Sequence, residues 1–197
     1  MLAEVALADK ENALVSTLSG GQRQGLAIGC ALVGAPELLF LDEPTTGLDP
    51  GARRQLWEVV LEFLAGGGTV VLTTHYMEEA ERLCDRVAVM DRGRIARVGS
   101  PAELIAGLGA SHVVELQLDA DVEAAALLAL PGVTSAREAV AGDATRWTLS
   151  APEPHVTLPA LFALAARREM KLAHLSTRSA TLEDVFVSLT GRQLRDG

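Results

Sequence analysis

Apolar residues recur along this chain in two rhythms, and the rhythm switches at short polar or glycine-rich breaks. Residues 21–34 suit a helix that opens just after a glycine pair. Residues 38–42 form a short, continuous apolar run, as expected of a strand buried on both faces. From 51 to 65, Leu56, Val59, Val60, Phe63 and Leu64 return at helical spacing, and Gly66-Gly67-Gly68 ends the helix. Residues 69–74 predict a second buried strand and 76–83 another helix. Residues 86–90 and 94–99 read as a hairpin turning at Asp91-Arg92-Gly93. Ser100-Pro101-Ala102-Glu103 then carries the N-cap, first-turn proline and third-position acid of a helix start.

This alternation predicts an α/β layer with a mostly parallel sheet over residues 1–107. A boundary falls near Gly107-Leu108-Gly109. Over 108–197 the pattern gives strand 112–118, helix 121–130, strands 133–139 and 145–150, helix 158–168 and strand 171–176. Pro131-Gly132 and Gly142-Asp143 mark turns. The order βαββαβ is the split arrangement of a small α+β, ferredoxin-like domain. Thr181 caps a last helix over 182–189, stopped by Gly191.

Composition narrows the function classes. A chain of 197 residues holds one domain or two small ones. The net charge is −9, with 9 basic against 15 acidic residues through Gly107 and 8 against 11 beyond it. An acidic surface in both halves argues against a nucleic-acid partner, which needs clustered positive charge. Lys10 and Lys171 are the only lysines, and neither follows a glycine-rich loop. Cys30 and Cys84 fit no metal spacing and are expected to be buried, reduced thiols. No apolar run approaches the ~18 residues that cross a bilayer. Met1-Leu2-Ala3-Glu4 has no signal-peptide character, so membrane work is assigned to a partner chain.

Four short strings carry chemistry. In Leu18-Ser19-Gly20-Gly21-Gln22, two glycines leave backbone N–H groups open where a helix begins, which suits a phosphate. Asp42 and Glu43 end a strand, where open α/β sheets place their ligands. A hard carboxylate there suits Mg²⁺ through water, and a second one suits an attacking water. Pro44-Thr45-Thr46-Gly47-Leu48-Asp49-Pro50 comes directly after. His75 ends the next strand, ahead of Tyr76-Met77-Glu78-Glu79-Ala80-Glu81. Glu78, Glu79 and Glu81 read as a plain solvated acidic face.

These ordered strings resemble the signature loop, Walker B strand, following loop and switch histidine of ABC-type ATPases, from the signature through Gly107. Residues 179–192 resemble the C-terminal extension of daunorubicin-resistance-like bacterial drug exporters. The resemblance implies a partial P-loop NTPase core using ATP and Mg²⁺. Asp42 would hold the metal, Glu43 and His75 would be catalytic, and Asp49 would lie at a dimer interface. Ser19, Gly20, Gly21 and Gln22 would contact nucleotide in trans, across a head-to-tail pair with a second ATPase subunit. It further implies a membrane permease on a separate chain and a cytoplasmic, peripheral location beneath it. The chain carries no G-x-x-x-x-G-K-[ST] phosphate loop. It is therefore expected to be truncated ahead of the signature region and inactive alone. An alternative is a non-catalytic subunit that lends its signature to an intact ATPase. A DNA-repair or chromosome-structuring ATPase would need coiled-coil insertions or basic surfaces that this chain lacks.

Overall fold

The computed structural model describes residue 5, residues 7–141 and residues 144–191. The turn expected at Gly142-Asp143, the start at Met1–Glu4 and the tail residue Arg192 lie outside the described residues. The chain divides into two compact units, Met1–Cys84 and Asp85–Gly197.

In the first unit, short 3₁₀ turns at Ala8–Lys10 and Val15–Thr17 lead into α1 (Gly20–Leu32). β1 (Leu38–Asp42), α2 (Pro50–Ala65), β2 (Thr69–Thr73) and α3 (Met77–Leu83) come next. β1 and β2 pair in parallel, Leu38 opposite Thr69 through Asp42 opposite Thr73. The core joins Leu39 and Leu41 of β1 to Ile28 of α1, Leu83 of α3, and Leu56, Trp57 and Val60 of α2. The helical rhythm of residues 51–65 is thus the inner face of α2.

The strands depart from expectation. β1 alternates exposed and buried positions instead of being covered on both sides. Leu38 (45%), Phe40 (71%) and Val71 of β2 (49%) keep large parts of their surface exposed. The helices of this unit cover one face of the pair, and the other face carries these side chains. Cys30 is exposed and Cys84 half-buried, against the expectation of two buried thiols. Cys30 lies on α1 two positions past Ile28, off the helix's inward face.

The second unit opens with the expected hairpin, β3 (Val87–Asp91) and β4 (Arg94–Gly99), paired antiparallel. Its two turn residues, Arg92 and Gly93, both have positive φ (49° and 73°), the backbone that lets a tight hairpin keep to the strand twist. α4 (Pro101–Ala106) starts with a full capping box between Ser100 and Glu103. Then come β5 (His112–Leu118), α5 (Ala124–Leu128), β6 (Ser135–Ala141), β7 (Ala144–Ser150), α6 (Pro154–Arg167), β8 (Leu172–Ser179) and α7 (Leu182–Thr190). The four long strands form one antiparallel sheet in the order β6-β7-β5-β8. Leu127 of α5 and Leu161 and Leu164 of α6 pack with Val114, Leu116 and Leu118 of β5. The hairpin and α4 belong to this unit, so the division comes earlier than the 107/108 boundary. α4 packs against both β4 and α7, which ties residues 87–106 to the last helix of the chain. Among the described residues, parallel pairing is confined to β1 and β2.

Candidate functional site

The sequence-predicted site residues all fall in the first unit, in two groups. The first sits where β1 and β2 end. Their parallel register puts Thr73 opposite Asp42. The Thr73 hydroxyl donates to Asp42 Oδ1 in a short hydrogen bond and accepts from the Glu43 N–H at 3.2 Å. The Glu43 N–H also reaches the Thr73 carbonyl at 3.0 Å. Glu43 leaves the strand in left-handed backbone, φ 45°. That turn directs its carboxylate along the strand ends, where Oε2 accepts from the Thr46 hydroxyl at 3.1 Å. His75 Nδ1 lies 3.4 Å from the same oxygen. Asp42, Glu43 and His75 are thereby brought together, with Thr73 and Thr46 as hydroxyl partners that the sequence reading did not single out. The signal for Thr73 was present, because two strands ending at one level put their last residues side by side.

The second group forms around the first turns of α1 and α2. Ser19 caps α1: its hydroxyl accepts from the Gln22 N–H at 3.2 Å, and the Gln22 side chain accepts from the Ser19 N–H at 3.0 Å. This capping box occupies the Gln22 amide oxygen. The Ser19 hydroxyl proton is left to donate outward, beside first-turn N–H groups that have no acceptor within the helix. Asp49 caps α2, accepting from the N–H groups of Gly51 (2.9 Å) and Ala52 (3.1 Å). These bonds, Ala52's first, hold the Asp49 carboxyl below its usual range. Ser19, Gly21, Gln22, Asp49 and Ala52 share the wall of one open cleft of ≈ 580 Å³. A Cβ on Gly21 would stand 2.7 Å from the Ala52 Cβ, so glycine is what lets the two helix starts approach. Gly20 has open space.

The acidic run of α3 is not a uniform solvated face. Glu79 is 0% exposed and accepts a 2.9 Å hydrogen bond from the Trp57 indole N–H. Glu78 is exposed, in keeping with the sequence reading. The signal for Glu79 was its place beside Ala80 and one turn before Leu83, both buried.

Among the described residues, no three His, Cys, Asp or Glu side chains form a metal-ligating cluster. One exposed Asp42 carboxylate at a strand end fits Mg²⁺, which keeps most of its waters and takes further ligands from phosphate oxygens. Among the described residues, no helix is long and apolar enough to cross a membrane.

Residues 1–46 match the ABC transporter family. The chain is 43% identical over 191 residues to the Nod factor export ATP-binding protein I of Ralstonia nicotianae, covering 96% of this chain and 58% of that protein. It is 41% identical over 194 residues to the daunorubicin/doxorubicin resistance ATP-binding protein DrrA of Streptomyces peucetius, covering 96% and 57%. Among solved structures, it is similar to cbiO1 of Clostridium perfringens, part of the ABC transporter complex cbiONQ. There the identity is 34% and the TM-score 0.49, over 53% of this chain and 42% of that one. The chain thus spans a little under three fifths of the curated relatives it matches.

Proposed function

The chain belongs to the ATP-binding proteins of ABC transporters, in their drug-exporter branch, and from that premise we propose that it forms the hydrolytic and signature faces of an exporter's ATP sites. The observation that carries this reading is the meeting of Glu43 and His75 on one carboxylate oxygen, beside Asp42, at the ends of two parallel strands. Asp42 would hold Mg²⁺ through water, and the ion would neutralise phosphate charge. Glu43 accepts a proton from, or orients, the water that attacks the γ-phosphate. His75 fixes that carboxylate and donates toward the phosphate.

The signature group works on the opposite side of the nucleotide. Ser19 donates its hydroxyl proton, and Gly20 and Gly21 their N–H groups, to the γ-phosphate of an ATP held by a second ATPase subunit. Gln22 holds Ser19 in place through the capping box, and Asp49 faces the dimer partner. A phosphate loop outside these residues holds the β- and γ-phosphates. The partners in this reading are that second subunit, paired head to tail, and a membrane permease moving a drug-like or lipid-like molecule. The ATPase then works on the cytoplasmic side, peripheral to the membrane. The second unit, with its βαββαβ order, is read as a ferredoxin-like accessory domain.

The test mixes the chain with a phosphate-loop-bearing exporter ATPase whose own signature serine has been replaced. Wild-type chain is expected to raise phosphate release by about tenfold or more, equivalent to roughly 1.4 kcal/mol of recovered transition-state stabilisation. Chain carrying Ser19→Arg is expected to give no rise. No stimulation by wild-type chain at any ratio would count against the signature reading.

A further inference from the structure

His75 does not stand alone against Glu43. Behind it, the rings of His75 and Tyr76 approach to 4.2 Å between centroids, tilted by 39°. Tyr76 in turn meets Arg53, whose guanidinium carbon lies 4.1 Å from the ring centroid. The order is therefore cation, phenol ring, imidazole, carboxylate: Arg53, Tyr76, His75, Glu43. Arg53 stands one turn into α2, its N–H bonded to the Asp49 carbonyl at 3.0 Å. Its Nε is buried without a hydrogen-bond partner among the described residues. The π face of Tyr76 is thus a principal contact seen for that cation.

The platform beneath the stack is fixed one turn further along both helices. Trp57, four residues after Arg53, bonds Glu79, three residues after Tyr76. Glu79 Oε2 has no partner among the described residues. A buried carboxyl half-satisfied in this way costs more than an apolar side chain of the same size. Packing alone therefore does not explain it. α3 has no side-chain N-cap at Tyr76; the Tyr76 N–H donates to the Thr74 hydroxyl at 3.0 Å, and the Trp57–Glu79 bond ties the first turn of α3 to α2.

We propose that Arg53 and Tyr76 are positioning residues that hold the His75 imidazole against Glu43, on a platform locked by the Trp57–Glu79 hydrogen bond. The importance of the His75–Glu43 pair rests on the functional reading above; the positioning itself does not. Because the stack starts one turn from Asp49, it also joins the α2 cap to the hydrolytic pair. A cation over a tyrosine face is a weak contact, enough to set a side-chain orientation and too little to hold a fold.

The experiment is NMR on the full chain with ¹⁵N-labelled histidine and tryptophan. The His75 ring signals are those lost in His75→Asn. Glu43→Gln is expected to displace them, because the two groups are in contact. In chain carrying Arg53→Met or Tyr76→Leu, that displacement should shrink by about threefold or more, a coupling lost between neighbours. Arg53→Lys and Tyr76→Phe, which keep a cation and a ring, should restore it. The Trp57 indole N–H signal reports whether the platform is intact, so a variant that merely unfolds is recognised and the other of the pair decides. An unchanged His75 displacement in a variant whose indole signal persists overturns the proposal. No step of this test uses ATP, so its failure and that of the phosphate-release assay are separate results.

Discussion

Glu43 stands in left-handed backbone, where a side chain costs roughly 1 kcal/mol that glycine does not incur. The residue before a proline ordinarily prefers extended backbone, so neither the acid nor Pro44 announces this turn in sequence. Glu43→Gly is therefore expected to stabilise the first unit by about 1 kcal/mol while removing the group that meets His75. Urea unfolding monitored by Trp57 fluorescence checks it, and a destabilised Glu43→Gly chain would show the turn to be unstrained. The two signature glycines separate just as cleanly. Gly21→Ala brings its Cβ to 2.7 Å from Ala52 and should destabilise the unit by about 1–3 kcal/mol, whereas Gly20→Ala meets nothing and should leave the melt within ~0.5 kcal/mol. Equal effects on the urea midpoint would mean that α1 and α2 do not pack as closely as Gly21 indicates. The sequence reading could name Gly20 and Gly21 as a phosphate loop. It could not tell that only one of them faces a neighbouring helix, because that depends on where α2 starts.

At the scale of elements, the helices were legible wherever caps and periodicity agreed: the Ser100–Glu103 box and the Leu56, Val59 and Val60 face stand as read, whereas the Ser19–Gln22 box emerges only in the structure. The faces of β1 and β2 were not, since an apolar run tells what a strand can bury and not which layers reach it. Glu79 departs from the expected solvated face for the converse reason: residue type gives its charge, while its helical position beside Ala80 and Leu83 decides its burial. The last helix offers a test of charge. Arg178 of β8 holds both Asp184 oxygens (2.7 and 2.9 Å) and Glu115 of β5 (3.0 Å), while Asp184 also accepts from the Thr181 N–H. Burial pushes the Asp184 carboxyl up, yet the Arg178 guanidinium and the Thr181 N–H hold it below the ordinary value of 3.8. A lowered folded-state pKa means that this stabilisation is present above about pH 4 and fades as pH falls through the folded value. Asp184→Asn should cost the second unit about 1–2 kcal/mol at pH 7 and flatten its stability loss as pH falls below about 4. Thermal melts across that range decide it: parallel wild-type and variant curves would sink the assignment.

For the whole molecule, the two units face solvent on different terms. β5 is hydrogen-bonded on both sides, by β7 and β8, and its inward side chains are almost completely buried. Among the described residues β2 is paired on one side, to β1, and the outer face of that pair carries Leu38, Phe40 and Val71. Removing apolar surface from water gives about 25 cal/mol per Å², and the first unit forgoes that gain over three large side chains. In the structure the cost takes the form of an apolar face open to water, which favours association over outright failure to fold. Unfolding is therefore expected in steps, with Met1–Cys84 opening before Asp85–Gly197. Hydrogen exchange in rising urea should release the amides of residues 69–73 well before those of residues 113–118. Light scattering should rise with the first step, and Phe40→Lys should suppress that rise with little change in the second. A single transition, with β2 and β5 amides protected equally, would mean that the open face carries no penalty and that the two units hold one another.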